Sequence, residues 1–441
     1  MSGDMDEIFA AKGSILIAGV LINGKETDIA IDETGTIASV EERTGRRTGI
    51  DADIVIDGSE RIAIPGFVNT HTHAAMTLLR GYADDMPLQD WLTQQIWPLE
   101  AHLSGGDIYW GTKLACLEMI RSGTIAFNDM YFFMERAAEA VDEMGIRATL
   151  AHGFIDLGSE EKREAEIRAT EALFAHIRSM GNPRIKAAVG PHAVYTVSPG
   201  GLAWCAEYAA EQDIGIHVHV SETWQEVADC VAQTGRRPPQ VLDACGCLTP
   251  RTVAAHGCWL DRADCALLGE RGVSVSHNPA SNMKLAVNRA MPYHWLKEAG
   301  ANVTLGTDGC ASNNSLDMLE EMKFASLLQK FAWNSQTLLP ADEAIAMATS
   351  AGAHALGTGP GLLAATAPAD IVLVDRRAVC NVPLHHTDSN IVYACSGAAV
   401  RTVLCSGRVV MFERVVPGEE AILAGAAEAA AALVRRREEA G

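Results

Sequence analysis

Eight short apolar runs, each ending in polar residues and each followed by a stretch of helical pattern, constrain this chain more than any other feature. They are AIPGFVNTHTH, GTIAFNDMY, IRATLAHGFID, RIKAAVGPH, IGIHVHVSE, TVAAHG, GVSVSHN and NVTLGTD. Helical patterns lie between them, for example over Asp107 to Arg121, Glu160 to Ser179 and Gly201 to Gln212. Alternating strands and helices imply a parallel sheet, and eight such units point to an α/β fold of the (β/α)8 TIM-barrel type. A barrel takes ~250 residues, so the 441-residue length leaves room for a smaller unit.

That unit is legible at both ends. Residues 14–65 carry short β-prone runs (SILIAGVLI, TDIAIDE, TIASVEE, ADIVIDG, RIAIPG) punctuated by Gly, Asp and Asn. The pattern returns after residue 366 with ADIVLVD and AVRTVLCSGRVVMF. The expected organisation is a barrel over 66–365 and a small composite β-sandwich domain from 1–65 plus 366–441, with a C-terminal helix around Ala421 to Val434.

Composition excludes several classes. Lys plus Arg number 35 against 56 Asp plus Glu, a formal charge of −21, which argues against nucleic-acid or anionic-membrane partners. The 11 cysteines form no CxxC pair, and Cys245 and Cys247 make a lone CxC, so buried free thiols in a reducing cytoplasm are expected. Asp4, Asp6 and Glu7 stand where a signal peptide would carry basic residues. The Ala-rich C-terminus is interrupted by Glu428 and does not read as a membrane span.

The histidines carry the chemistry. His71, His73, His192, His219, His256 and Asp308 all fall at the C-terminal ends of expected strands. In a barrel those ends converge on the face that holds the active site. His71 and His73 share one side of a strand, because side chains alternate with period two. With His219 and Asp308 they make a donor set for one divalent ion per subunit, expected to be Zn²⁺, with Fe²⁺ or Mn²⁺ as alternatives. His217 alternates with His219 and competes as a ligand; His219 is preferred because the polar Ser221 and Glu222 follow it. SHNPASN reads as a shaped loop on the rim, with no chemistry assigned to it.

PGFVNTHTHAAMTLLRG, HVHVSET, SHNPASNMKL and LGTDGCASNNSLDM, in this order, resemble the amidohydrolase superfamily. The branch they resemble is the methylthioadenosine / S-adenosylhomocysteine deaminases, and within it the archaeal 5′-deoxyadenosine deaminases. The resemblance runs from about residue 60 to 330. It implies His71, His73, His219 and Asp308 on the metal, and Glu222 holding the purine ring and moving a proton. It implies His256 beside the attacking water, Asp308 accepting that water's proton, Glu100 on the ribose hydroxyls and His192 on the substrate. One position departs: His152 stands where an Arg for the homocysteine carboxylate is expected, with Lys162 or Arg163 as a compensating base.

The implied reaction is hydrolytic deamination of an adenosine-type nucleoside by a metal-bound hydroxide, giving the inosine analogue and ammonia. Its substrates would include 5′-deoxyadenosine (a by-product of radical S-adenosylmethionine enzymes), methylthioadenosine, S-adenosylhomocysteine and adenosine. The implied partners are a small nucleoside and further copies of the chain, a tetramer by resemblance. The alternative is a sister enzyme acting on a free base or triazine ring, of the guanine deaminase or chlorohydrolase type. A catalytically dead scaffold on the same fold is disfavoured, because every ligand and proton-transfer position is intact.

Overall fold

The computed structural model describes residues 8–10, 13–43, 51–86 and 90–440. Asp4, Asp6 and Glu7 lie outside them. The first strands are β1 (Ile15–Ile22), β2 (Lys25–Ile31), β3 (Ile37–Glu42), β4 (Ile54–Asp57) and β5 (Arg61–Pro65). The next eight are β6 (Phe67–Thr72), β7 (Thr124–Tyr131), β8 (Arg147–Phe154), β9 (Ile185–Pro191), β10 (Gly215–Val220), β11 (Thr252–His256), β12 (Ser274–His277) and β13 (Asn302–Leu305). The last are β14 (Ile371–Asp375), β15 (Val400–Cys405) and β16 (Arg408–Met411).

Strands β6 to β13 form one parallel sheet in chain order. The sheet closes where the Thr307 and Asp308 amides donate to the His71 carbonyl at 3.1 and 3.0 Å. Each strand is an apolar run because a barrel strand is buried on both faces, by side chains inside and helices outside. The βα turns follow standard helix-capping chemistry. Ser159, Ser198, Thr223 and Asp261 accept from backbone amides of the helices that follow them, and Gly123, Gly145, Gly181 and Gly235 end helices at positive φ.

The remaining strands join the two ends of the chain in one mixed sheet, ordered β16-β15-β14-β5-β1-β2-β3, with β4 paired to β1. The sheet curls over a core of its own, in which Ile17, Ile29, Ile37, Ile371 and Leu404 pack together. Its two extremes touch: the Gly35 carbonyl accepts from Ala369 at 2.9 Å, and a Cβ on Gly35 would lie 2.0 Å from the Ser406 carbonyl oxygen. The apolar run AIPGFVNTHTH divides between the two units, since Ile62 to Pro65 pair with β14 and the barrel strand begins at Phe67.

The C-terminal helix Glu419–Ala440 lies against the barrel helix Gly105–Ser122, where Gly425 packs directly on Trp110. Among the described residues no helix is long and apolar enough to cross a membrane.

Candidate active site

Four ligand-type groups meet at the C-terminal mouth of the barrel. His71 lies in β6 and His73 just beyond it, His219 lies in β10, and Asp308 follows β13. The Nε2 atoms of His71 and His73 each stand 3.4 Å from Asp308 Oδ1. His73 Nε2 and His219 Nε2 are 3.3 Å apart. Candidate ligand atoms of His71, His73 and His219 lie within 4.8 Å of one another, as do those of His71, His256 and Asp308.

Each imidazole is gripped by its other nitrogen. His73 Nδ1 donates to the Met130 carbonyl at 2.6 Å and His219 Nδ1 to the His192 carbonyl at 2.8 Å. A carbonyl only accepts, so the proton sits on Nδ1 and both Nε2 atoms present bare lone pairs to each other. Such a pair repels unless a cation lies between. His71 Nε2 is buried without a hydrogen-bond partner. Burial holds the His71 ring down at about 3, against the opposing pull of Asp308, and holds His219 well below the ordinary value. Burial would raise Asp308, but its contact with His71 and the neighbouring His256 and His73 rings outweighs this and holds it well below the usual carboxylate range. Three imidazole nitrogens and one ionised carboxylate fit a divalent cation of borderline softness.

His217 has a different job. Its Nε2 meets His71 Nδ1 at 2.8 Å, so it orients a ligand rather than competing with one.

A second layer of polar contacts holds the cluster, and sequence reasoning did not find it. Ser281 and Ser312 hydroxyls donate to Asp308 Oδ2 at 2.6 and 2.9 Å. His256 Nδ1 meets Asn282 Oδ1 at 2.9 Å. The SHNPASN loop therefore anchors both Asp308 and His256. Glu226 accepts from the Ser221 and Glu222 amides, each at 2.8 Å, and so fixes the turn that carries Glu222. Ser221, His256 and Asp308 all adopt positive φ (51°, 74° and 60°), a costly backbone for non-glycine residues that clusters at functional sites. The available signal was the density of Ser and Asn directly after two buried strands.

A cavity of about 330 Å³ opens over the cluster. Its wall includes Glu222, His256, His192 and Glu100. Burial raises the Glu222 carboxyl, with His256 pulling the other way. Burial alone would lower His256, but the Glu222 and Asp308 carboxylates more than offset it and raise the ring. Glu222 Oε1 stands 3.7 Å from His256 Nδ1. His192 is lowered to about 4 by burial and by the charges of His73 and His256. Glu100 ends a segment that starts as a wide π-turn, Trp91–Ile96, and continues as Trp97–Glu100. The Tyr131 hydroxyl donates to Glu100 Oε1 at 2.5 Å, and burial pushes the carboxyl up to about 7.

His152 is not in this cavity, which corrects the expectation that it touches substrate. Gly153 and Ile155 line the wall, while His152 shares the outward side of β8 with Phe154, which stacks on Trp204 of an outer helix. Its Nε2 meets Glu166 Oε2 at 2.6 Å. Neither Lys162 nor Arg163 lines the cavity, and Arg163 pairs with Glu160 at 3.2 Å. No Lys or Arg is found among the described lining residues.

Residues 62–410 match the amidohydrolase family. A 5′-deoxyadenosine deaminase of Methanoregula boonei is 64% identical over 98% of this chain and 97% of its own. A 5-methylthioadenosine/S-adenosylhomocysteine deaminase of Archaeoglobus fulgidus is 50% identical over 84% of this chain and 87% of its own. Among solved structures, a zinc-bound adenosine deaminase from Xanthomonas campestris superposes with a TM-score of 0.90 at 36% identity, covering 96% of this chain and 99% of that one. The family match spans the whole barrel and the strands that flank it, and the chain belongs to the amidohydrolase family.

Proposed function

We propose that the protein is a metal-dependent hydrolase that deaminates adenosine-type nucleosides, with 5′-deoxyadenosine and methylthioadenosine foremost, to inosine analogues and ammonia. One observation carries the reading: a buried carboxyl with a raised proton affinity, Glu222, shares a cavity with a four-donor metal cluster. His71, His73, His219 and Asp308 would hold the ion, zinc by preference. A divalent ion so held supplies a nucleophile at neutral pH by lowering the pKa of its water toward ~7.

The chain's own groups do the rest. Glu222, whose proton affinity burial raises, gives a proton to N1 of the adenine ring and so removes the aromatic resistance to attack at C6. His256, anchored by Asn282, orients the attacking water, with Glu222 Oε1 3.7 Å from its Nδ1. Asp308 accepts the water's proton through Oδ1, while Ser281 and Ser312 occupy Oδ2. The C6 amino group then takes up the proton held by Asp308 and departs as ammonia, while the C6 hydroxyl returns its proton to Glu222 as the carbonyl forms. Glu100, with Oε1 tied to Tyr131, offers Oε2 to a ribose hydroxyl. His192 closes the wall beside the substrate.

The Glu100 anchor favours a nucleoside over a free base or a triazine. A cavity without Lys or Arg favours an uncharged 5′ group over a homocysteine carboxylate, which is best bound by an Arg fork. The relative named for 5′-deoxyadenosine supports this choice, while the one named for methylthioadenosine carries S-adenosylhomocysteine in the same name. A reducing cytoplasm as the setting is supported by eleven cysteines, none of them in a disulfide.

The test is an ammonia-release screen over adenosine, 5′-deoxyadenosine, methylthioadenosine, S-adenosylhomocysteine, guanine and cytosine. The nucleosides should be turned over and the free bases should not. Release from guanine alone would transfer the protein to the free-base branch.

A further inference from the structure

A second cavity, of about 250 Å³, opens at the opposite end of the barrel. Arg147 and Lys186, at the starts of β8 and β9, line it together with Arg184 from the turn before β9. Thr149, Thr358 and Ser406 add hydroxyls, and no Asp or Glu lines it.

The existing contacts leave this charge incompletely answered. Arg147 reaches Asp370 at 2.6 Å and also the Ser406 hydroxyl. Arg184 reaches the half-exposed Asp142 at 3.3 Å through one terminal nitrogen, while its Nε is buried without any acceptor. Lys186 Nζ donates to the Leu356 and Gly357 carbonyls at 3.0 and 2.7 Å, which satisfies two of its three hydrogens but cancels none of its charge. Three cations therefore face two carboxylates, in a chain whose formal charge is −21. The electrostatics agree with that count, since Lys186 is held below the ordinary lysine value by burial and by the Arg147 charge.

We propose that this cavity is a second binding site, for a phosphate group, either free or on a small monoester. A phosphate offers several acceptor oxygens and up to two negative charges. It can take the third Lys186 hydrogen and pair with the Arg184 guanidinium, and hydroxyls from Thr149 and Thr358 lie along the same wall. The buried Arg147 forms the floor and the exposed Lys186 the rim, so a ligand enters from solvent and meets rising positive potential. The site stands at the strand N-termini, away from the metal cluster, so its occupant is not the nucleoside being deaminated.

Isothermal titration of the full, metal-loaded chain with inorganic phosphate and with adenosine monophosphate, at fixed ionic strength, tests this. Phosphate also binds metal ions, so two substitutions away from the cluster decide the matter, Arg184→Gln and Lys186→Met. The expected result is one saturable site per chain, weakened by about tenfold or more in each variant, with deamination unchanged in Arg184→Gln. Phosphate binding should also persist in metal-free His73→Ala. Equal affinity for the two ligands identifies inorganic phosphate as sufficient, and tighter binding of the monophosphate identifies an ester. Titrations that match in parent and both variants, or that show no saturable heat, overturn the proposal. Lys186 also caps a helix, so Arg184→Gln is the arbiter if Lys186→Met melts early.

Discussion

The two rims of the barrel are built from similar polar residues, and they differ in what those residues leave open. At the N-terminal rim, outside the cavity lined by Arg147, Arg184 and Lys186, polar atoms close on protein. Asn302 bonds Ser274 and the Ala351 carbonyl at 2.9 and 3.1 Å, and Arg147 ties the barrel to Asp370 of the mixed sheet. At the C-terminal rim each ligand-type side chain is held firmly on one side and open on the other. His73 and His219 give Nδ1 to carbonyls and turn Nε2 inward, and Asp308, whose Oδ2 accepts from two serines, turns toward His71 and His73 an Oδ1 that also accepts from the Gly309 amide at 2.8 Å. A buried polar group left open costs stability, so a whole ring of them has to be explained by what enters the ring.

Two histidines of one strand sharpen that distinction most. His219 is open toward the cluster, whereas His217 is closed onto His71. His219→Ala should abolish stoichiometric metal and turnover together. His217→Ala should weaken metal affinity by ~10–100-fold, the usual effect of losing a group that orients a ligand, and recover turnover when metal is added. Metal analysis after dialysis, with and without added zinc, separates the two. Equal loss in both variants breaks the comparison.

The carboxylates of the same rim come next. Glu222 is open to the cavity, and Glu222→Gln should keep the metal and lose ~10²–10⁴-fold in kcat, because an amide has no proton to give. A variant within threefold of the parent would remove Glu222 from the reaction. Glu226 is closed on two backbone amides, and Glu226→Gln leaves one of them without its acceptor. The expected loss is roughly tenfold in kcat with KM and metal content unchanged, since only the placement of Glu222 suffers.

The rim also shows which parts of a site a sequence displays. The ligands were legible because each ends an apolar strand, where a His or Asp has no structural reason to be. The groups that hold them were not. Ser281 acts on Asp308 across 27 residues of chain and Asn282 on His256 across 26, pairings that only the closed barrel creates, while Ser312 reaches Asp308 from 4 residues further on. Gly306 is similar: a Cβ there would lie 2.8 Å from the Cβ of His71, a contact set by barrel closure. The eight barrel strands were legible as continuous apolar runs. Ala63 to Pro65 read both ways, in RIAIPG of the composite unit and in AIPGFVNTHTH of the barrel; they pair in the mixed sheet, and Gly66 leads into the barrel strand.

A smaller effect is expected in the pH dependence. Burial raises Glu100 to about 7, with Tyr131 pulling it down. Its ionised form is the one that accepts a ribose hydroxyl without a competing proton. As pH falls through about 7 the group takes up a proton, so KM should rise by a few-fold below that pH while kcat follows other groups. Glu100→Gln should have a raised KM throughout and lose this limb. A parent KM that stays flat between about pH 6 and about pH 8 would show that Glu100 does not meet the substrate in its ionised form.

The smallest effect is expected at His152, which sits on the open rim yet is itself closed. A guanidinium at this position reads from sequence as a means of binding a homocysteine carboxylate. The strand parity says otherwise. Residues facing the cavity from this segment are Gly153 and Ile155, and His152 points the other way, to Glu166 at 2.6 Å. An Arg introduced there finds a carboxylate waiting on the outer helix and should pair with it, without turning through the strand to reach the cavity. His152→Arg should therefore leave the kcat/KM ratio of S-adenosylhomocysteine to 5′-deoxyadenosine within about twofold of the parent, a difference of less than ~0.5 kcal/mol in transition-state stabilisation. If the variant instead raises the S-adenosylhomocysteine value alone by tenfold, the side chain reaches the 5′ end of the substrate. The separation between open and closed polar groups would then fail at this position.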